Sequence, residues 1–189
     1  DITKDFYDTT IKYLDSKIEE LYRQVRRNSD DVLFIVVGDH GEMLGDQKVW
    51  GHQCGIWEEL LRVPLIVAGP DVDSQEIGEK FSIRKIYDLI QGSEPEEHTS
   101  EKVFAEYRGV EGYDKRFGDG KVPEDEVKKN YYFNKSQAVV QGDELFVKNA
   151  ELDNLRYKIR DNGKGELIDE DEVPSSIKIR FGSEEDIEF

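Results

Sequence analysis

Val32-Leu33-Phe34-Ile35-Val36-Val37, followed at once by Gly38-Asp39-His40-Gly41-Glu42, is the stretch on which the fold of this chain turns. Six apolar residues with no polar alternation suit a strand covered on both faces, the usual state of a central strand in a parallel sheet. The chain then becomes polar within one residue. In open α/β sheets ligands gather beyond the carboxyl ends of strands, so Asp39 and His40 sit where chemistry is expected. Adjacent strand residues point to opposite faces, so the two side chains can meet one ion only where the strand breaks. Gly38 and Gly41 permit such a break, because glycine tolerates unusual dihedrals and close backbone approach.

Two readings of this pair follow from the residues alone. One is a turn with an Asx-type hydrogen bond and a solvated imidazole. The other is a carboxylate oxygen and an imidazole nitrogen on one divalent cation, a donor mix that zinc and manganese accept and calcium accepts less typically.

Further along lie Gly38-Asp39-His40-Gly41-Glu42-Met43-Leu44-Gly45-Asp46, Trp50-Gly51-His52, and Trp57-Glu58-Glu59-Leu60-Leu61-Arg62-Val63-Pro64-Leu65-Ile66-Val67. In this order the three segments resemble the sulfatase family of the alkaline-phosphatase superfamily. The likeness lies in a D-H-G-E-x-x-G-[DE] segment, a basic residue some ten positions later, and an E-E-x-x-R-V-P-L-I-V segment entering the next strand. The resemblance implies that Asp39 and His40 are metal ligands, with calcium the commonest ion in sulfatases and manganese or zinc in related enzymes. The family often carries lysine where this chain has His52, and there the cation contacts the transferred group. His52 can do the same when protonated, or serve as a general acid toward the leaving oxygen. The plainer alternative is a loop histidine satisfied by a backbone carbonyl.

Upstream, Phe6, Tyr7, Ile11, Tyr13, Leu14, Ile18, Leu21, Tyr22 and Val25 recur at helical spacing, opposite a polar face with Lys17, Glu19, Glu20 and Arg23. The spacing predicts a long amphipathic helix that ends at Asn28-Ser29-Asp30-Asp31. A long helix with a Tyr-hydrophobic-Asp segment, here Tyr13-Leu14-Asp15, also precedes the metal-ligand strand in the resembled family. The first residue is Asp1, which suggests a piece of a longer polypeptide or a processed product.

Lys and Arg number 26 against 43 Asp and Glu, a formal charge of −17. So large an acidic excess disfavours nucleic acid and anionic membranes as partners, and fits either an ordinary acidic surface or halophilic adaptation. No apolar run of about 18 residues is present, so no membrane span is expected. Cys54 is the only cysteine, which rules out an internal disulfide and says little about compartment. A cytoplasmic location is the default, with secretion the alternative if a signal peptide was removed. Cys54 is expected to be a small partly buried hydrophobe, because its neighbours lack the nucleophile pattern of the family, Cys or Ser followed two residues later by Pro or Ala and then Ser-Arg.

After Val67 comes a loop, Ala68 to Asp71, and then helical spacing over Ser82 to Ile90 that stops near Gly92. His98 is expected in a solvated loop. Beyond it the pattern changes to short apolar runs separated by Gly-Asp and Asn-Gly turns: 103–107, 131–133, 137–140, 144–148 and 155–159, with turns at Gly142-Asp143 and Asn162-Gly163. These are hairpin signals. The long connection 109–129 is either a functional lid or a solvated loop, and Arg108, Lys115 and Arg116 are candidate anion contacts. The stretch after Glu166 is acidic and reads as a solvated tail.

The expected fold class is therefore α/β. By resemblance it is the C-terminal part of an alkaline-phosphatase or sulfatase-like sandwich, with parallel strands and helices followed by a small antiparallel sheet. Residues 1–100 would form the α/β part, 101–168 the antiparallel β subdomain, and 169–189 the acidic tail. The function implied by the resemblance is hydrolysis of a sulfate ester, small-molecule or glycan, by a metallohydrolase in which Asp39 and His40 bind the cation and His52 and Arg108 contact substrate. The nucleophile, a formylglycine in active sulfatases, and the remaining ligands would come from an N-terminal half outside this sequence. Alternatives are a phosphoesterase, phosphoglycerol transferase or phosphonate hydrolase of the same superfamily, or a non-catalytic module that keeps the fold.

Overall fold

The structure, a computed structural model, describes residues 2–45, 49–52, 55–109, 134–150, 156–159 and 165–181. The chain divides into two units, one made of residues 1–40 and 63–77, the other of 41–62 and 78–189.

The first unit holds helix α1 (Ile2–Asn28), strand β1 (Phe34–Val37) and strand β4 (Leu65–Ala68). Arg26 and Arg27 in its last turn favour the negative end of the α1 dipole. The amide of Asn28 donates to the Gln24 carbonyl at 2.9 Å, and the Ser29 N–H to the Val25 carbonyl at 3.1 Å. The second of these satisfies the Val25 carbonyl, one of the last four that a helix end leaves without a partner, and the first adds a side-chain donor to the turn before it. Of the apolar stripe, Ile18, Tyr22 and Val25 are half-buried, and Tyr22 meets Phe34 of β1 edge-to-face with ring centroids 5.2 Å apart. Phe6, Ile11, Tyr13, Leu14 and Leu21 remain exposed, so spacing alone overstates how much of the stripe is covered.

β1 pairs with β4 in antiparallel register, Phe34 opposite Ala68 and Val37 opposite Leu65. The sequence predicts parallel neighbours here; among the described residues every paired strand is antiparallel. Residues 38–64 simply return the chain beside itself, a connection that needs no crossover helix. In this ribbon Phe34, Ile35 and Val36 are half-buried and Val37 is exposed.

In the second unit, β2 (Met43–Leu44) and β3 (Trp50–Gly51) form a short hairpin that leads into helix α2 (Glu58–Leu61). β5 (Lys80–Phe81) pairs with β6 (Thr99–Ser100) around helix α3 (Ile86–Ile90). His98 is not solvated as expected. Its side chain is 17% exposed, with Nδ1 3.9 Å from Asp88 and the ring edge-on to Phe81.

A five-stranded antiparallel meander follows, built of β7 (Lys102–Tyr107), β8 (Ser136–Gln141), β9 (Glu144–Asn149), β10 (Arg156–Ile159) and β11 (Gly165–Ile168) in the order β11-β10-β9-β8-β7. The expected Gly142-Asp143 turn joins β8 to β9, with Gln141 opposite Glu144 and Gly142 at φ +56°. A two-residue hairpin turn of this hand needs positive φ, which glycine adopts without steric cost. The 131–133 run, the Asn162-Gly163 turn and most of the 109–129 connection, with Lys115 and Arg116, lie outside the described residues.

Both faces of this sheet are covered. Leu145 and Val147 on one side of β9 bury with Ala138 of β8 and with Met43, Val49, Ile56 and Trp57 from the 41–62 segment. Phe146, pointing the opposite way by strand alternation, buries with Val139, Val173 and Ile177. Val173 and Ile177, 2% and 0% exposed, belong to the stretch read as a solvated tail. There helix α4 (Ser175–Phe181) lays Ile177 on the sheet. Acidic neighbours hid these two apolar residues, of which Ile177 lies on the helix and Val173 just before it.

Candidate functional site

The polar stretch after β1 is held from both flanks by backbone. In the first unit the Gly38 N–H donates to the Pro64 carbonyl at 3.1 Å, and a Cβ at Gly38 would lie 3.0 Å from the Val63 Cβ. In the second unit the Gly41 N–H donates to the Leu60 carbonyl at 2.9 Å, and a Cβ at Gly41 would fall 1.8 Å from the Glu59 carbonyl oxygen. Neither glycine has positive φ; Gly41 is needed for space, and at Gly38 a Cβ would be a tight fit. This links the motif segments physically: Gly38 fits against Val63-Pro64 and Gly41 against Glu59-Leu60.

Between these glycines, Asp39 and His40 emerge beyond the end of β1, with side chains 93% and 46% exposed. Asp39 Oδ1 accepts the His40 backbone N–H at 3.0 Å, which fixes the carboxylate against its own turn. Its Oδ2 lies 3.9 Å from His40 Nε2. The two side chains thus converge, as the strand break expected from sequence requires. Two donors 3.9 Å apart can share a cation that sits about 2.0–2.6 Å from each, the range spanned by zinc and calcium.

His52 and Glu42 form a second polar pair, within the second unit. The β2–β3 ladder sets Met43 opposite Gly51 and Leu44 opposite Trp50. One step further along that register Glu42 faces His52, and Glu42 Oε2 lies 2.8 Å from His52 Nδ1. Alternation turns Glu42 away from the side that buries Met43 completely. The hairpin is closed by the Gly45 N–H donating to the Val49 carbonyl at 2.9 Å. The indole of Trp50 lies so close to Gly45 (φ +94°) that a Cβ there would be 2.6 Å from the ring.

His52 therefore has a carboxylate partner, which the plainer reading did not supply. Glu42 is the functional candidate that sequence reasoning missed, because a pair ten residues apart becomes visible only once the hairpin register is fixed. Arg108 is exposed just past β7 and takes part in neither pair. Cys54 lies outside the described residues.

Residues 4–92 match the family model described as Sulfatase. Over 68 residues the chain is 40% identical to a choline-sulfatase of Rhizobium meliloti (strain 1021), a match that covers 35% of this chain and 13% of that protein. No solved structure matches the chain. The geometry and the matches coincide in one segment: across residues 4–92, which contain Asp39, His40, Glu42 and His52, this protein is similar to sulfatases.

Proposed function

We propose that this chain carries part of the active site of a sulfatase-like metallohydrolase that cleaves a small-molecule or glycan sulfate ester. Asp39 and His40 supply two ligands of a divalent cation, calcium first and manganese or zinc as the alternatives. The observation that carries the proposal is the 3.9 Å approach of Asp39 Oδ2 to His40 Nε2 beyond the end of β1, inside the segment similar to sulfatases. When bound, the cation neutralises charge that develops on the transferred group. Asp39 contributes the oxygen not engaged by its own turn, and His40 contributes Nε2. His52 contacts the same group as a cation or delivers a proton to the leaving oxygen. Arg108 is a further anion contact from the end of β7. The 189 residues contain no Cys or Ser followed two positions later by Pro or Ala and then Ser-Arg, so the nucleophile and the other ligands come from elsewhere in the parent protein.

Paramagnetic broadening tests the ligand pair. Substoichiometric manganese added to the isotopically labelled chain is expected to broaden the resonances of residues 39 and 40 first, and Asp39→Ala to abolish that preference. Broadening spread evenly over the acidic surface would refute it. Incubation with an aryl sulfate and an aryl phosphate, with calcium and then manganese, is expected to give no turnover by these 189 residues. Robust turnover that disappears in Asp39→Ala would overturn the assignment of the nucleophile to sequence outside this chain.

A further inference from the structure

A histidine can exchange protons at either ring nitrogen, and which one it uses is set by the partner of the other. Glu42 as a carboxylate offers only lone pairs, so at 2.8 Å from His52 Nδ1 the shared proton must reside on the nitrogen. The partners are well placed to hold each other. Glu42 is 31% and His52 42% exposed at the side chain, enough for a reagent to reach the ring while the carboxylate is partly shielded. Both sit on a hairpin anchored by fully buried Met43, so backbone register, and not side-chain flexibility, sets their approach.

We propose that Glu42 is a positioning residue for His52: it commits Nδ1 to a permanent N–H donor role and so confines proton exchange and anion contact to Nε2. In the neutral ring the lone pair is then on Nε2, and in the protonated ring the added proton is there. Either way the nitrogen that meets Glu42 is distinguished from the other by its partner. The catalytic meaning rests on the sulfatase-like reading above, but the hydrogen bond and its test do not.

The experiment is long-range proton–nitrogen NMR on the chain labelled with ring-15N histidine. Three histidines are present, and replacing His40 and His98 in turn assigns the signals. With the ring neutral, His52 is expected in the Nδ1–H form over the Nε2–H form by roughly tenfold or more, the bias a charge-assisted hydrogen bond provides. Glu42→Ala is expected to remove that bias and let Nε2–H predominate, while the Met43 methyl signal reports that the hairpin remains folded. A wild-type His52 that is mostly Nε2–H would overturn the proposal, as would an unchanged tautomer ratio in Glu42→Ala. Should Glu42→Ala fail to fold, the wild-type ratio decides alone. Neither absent metal binding nor absent turnover alters these ratios, so the two readings fail separately.

Discussion

Adding a single methyl group at Gly41 should damage the second unit more than any surface change nearby. The new Cβ would fall 1.8 Å from the Glu59 carbonyl oxygen, 2.9 Å from its carbon and 3.2 Å from the Leu60 Cα, all backbone atoms that cannot rotate aside. Relieving even the worst contact to 3.0 Å requires 3.0 − 1.8 = 1.2 Å of separation between the two strands of chain. A movement of that size also breaks the hydrogen bond from the Gly41 N–H to the Leu60 carbonyl, now 2.9 Å. The lost bond costs about 0.5–1.5 kcal/mol and the overpacking about 1–3 kcal/mol, for a total of about 1.5–4.5 kcal/mol. Urea unfolding followed by tryptophan fluorescence reads this directly, because the two tryptophans, Trp50 and Trp57, both lie in the segment clamped by this contact. Gly41→Ala should move the midpoint to lower urea with an unchanged slope. A destabilisation below about 0.5 kcal/mol, within the range of neutral surface changes, would refute the close-approach explanation.

Gly142 provides the contrast: a Cβ there meets nothing within 4 Å, but φ is +56°. Gly142→Ala should therefore cost only the dihedral penalty, about 1–2 kcal/mol by the same assay, and Gly142→Asn should recover much of it because asparagine tolerates this conformation. Ile177→Ala, at a fully buried position against Val139 and Phe146, should cost about 2–5 kcal/mol in chemical denaturation; a negligible effect would show that α4 does not pack on the sheet. Acrylamide quenching should separate the tryptophans: Trp57→Phe leaves the 51% exposed Trp50 and strong quenching, whereas Trp50→Phe leaves the 5% exposed Trp57 and weak quenching. Equal quenching of the two variants would contradict the packing of Trp57 with Met43 and Val147.

Much of this protein is legible in local chemistry. The apolar run ending at Val37, the helical stripe of α1, the Gly142-Asp143 turn and the alternation of β7 to β9 depend on neighbours a few residues away, and such neighbours are written side by side in the chain. Asp39 and His40 stand out for the same reason, as two donors adjacent in sequence where an apolar strand ends. What depends on distant partners could not be read off. The antiparallel pairing of β1 with β4, the burial of Val173 and Ile177 beneath an acidic exterior, and the meeting of Glu42 with His52 each need a register or a packing face that only the folded chain supplies. Gly41 shows the division most plainly: sequence marks it as a residue without a side chain, but only the carbonyl of Glu59 pressed against it explains why none can be there.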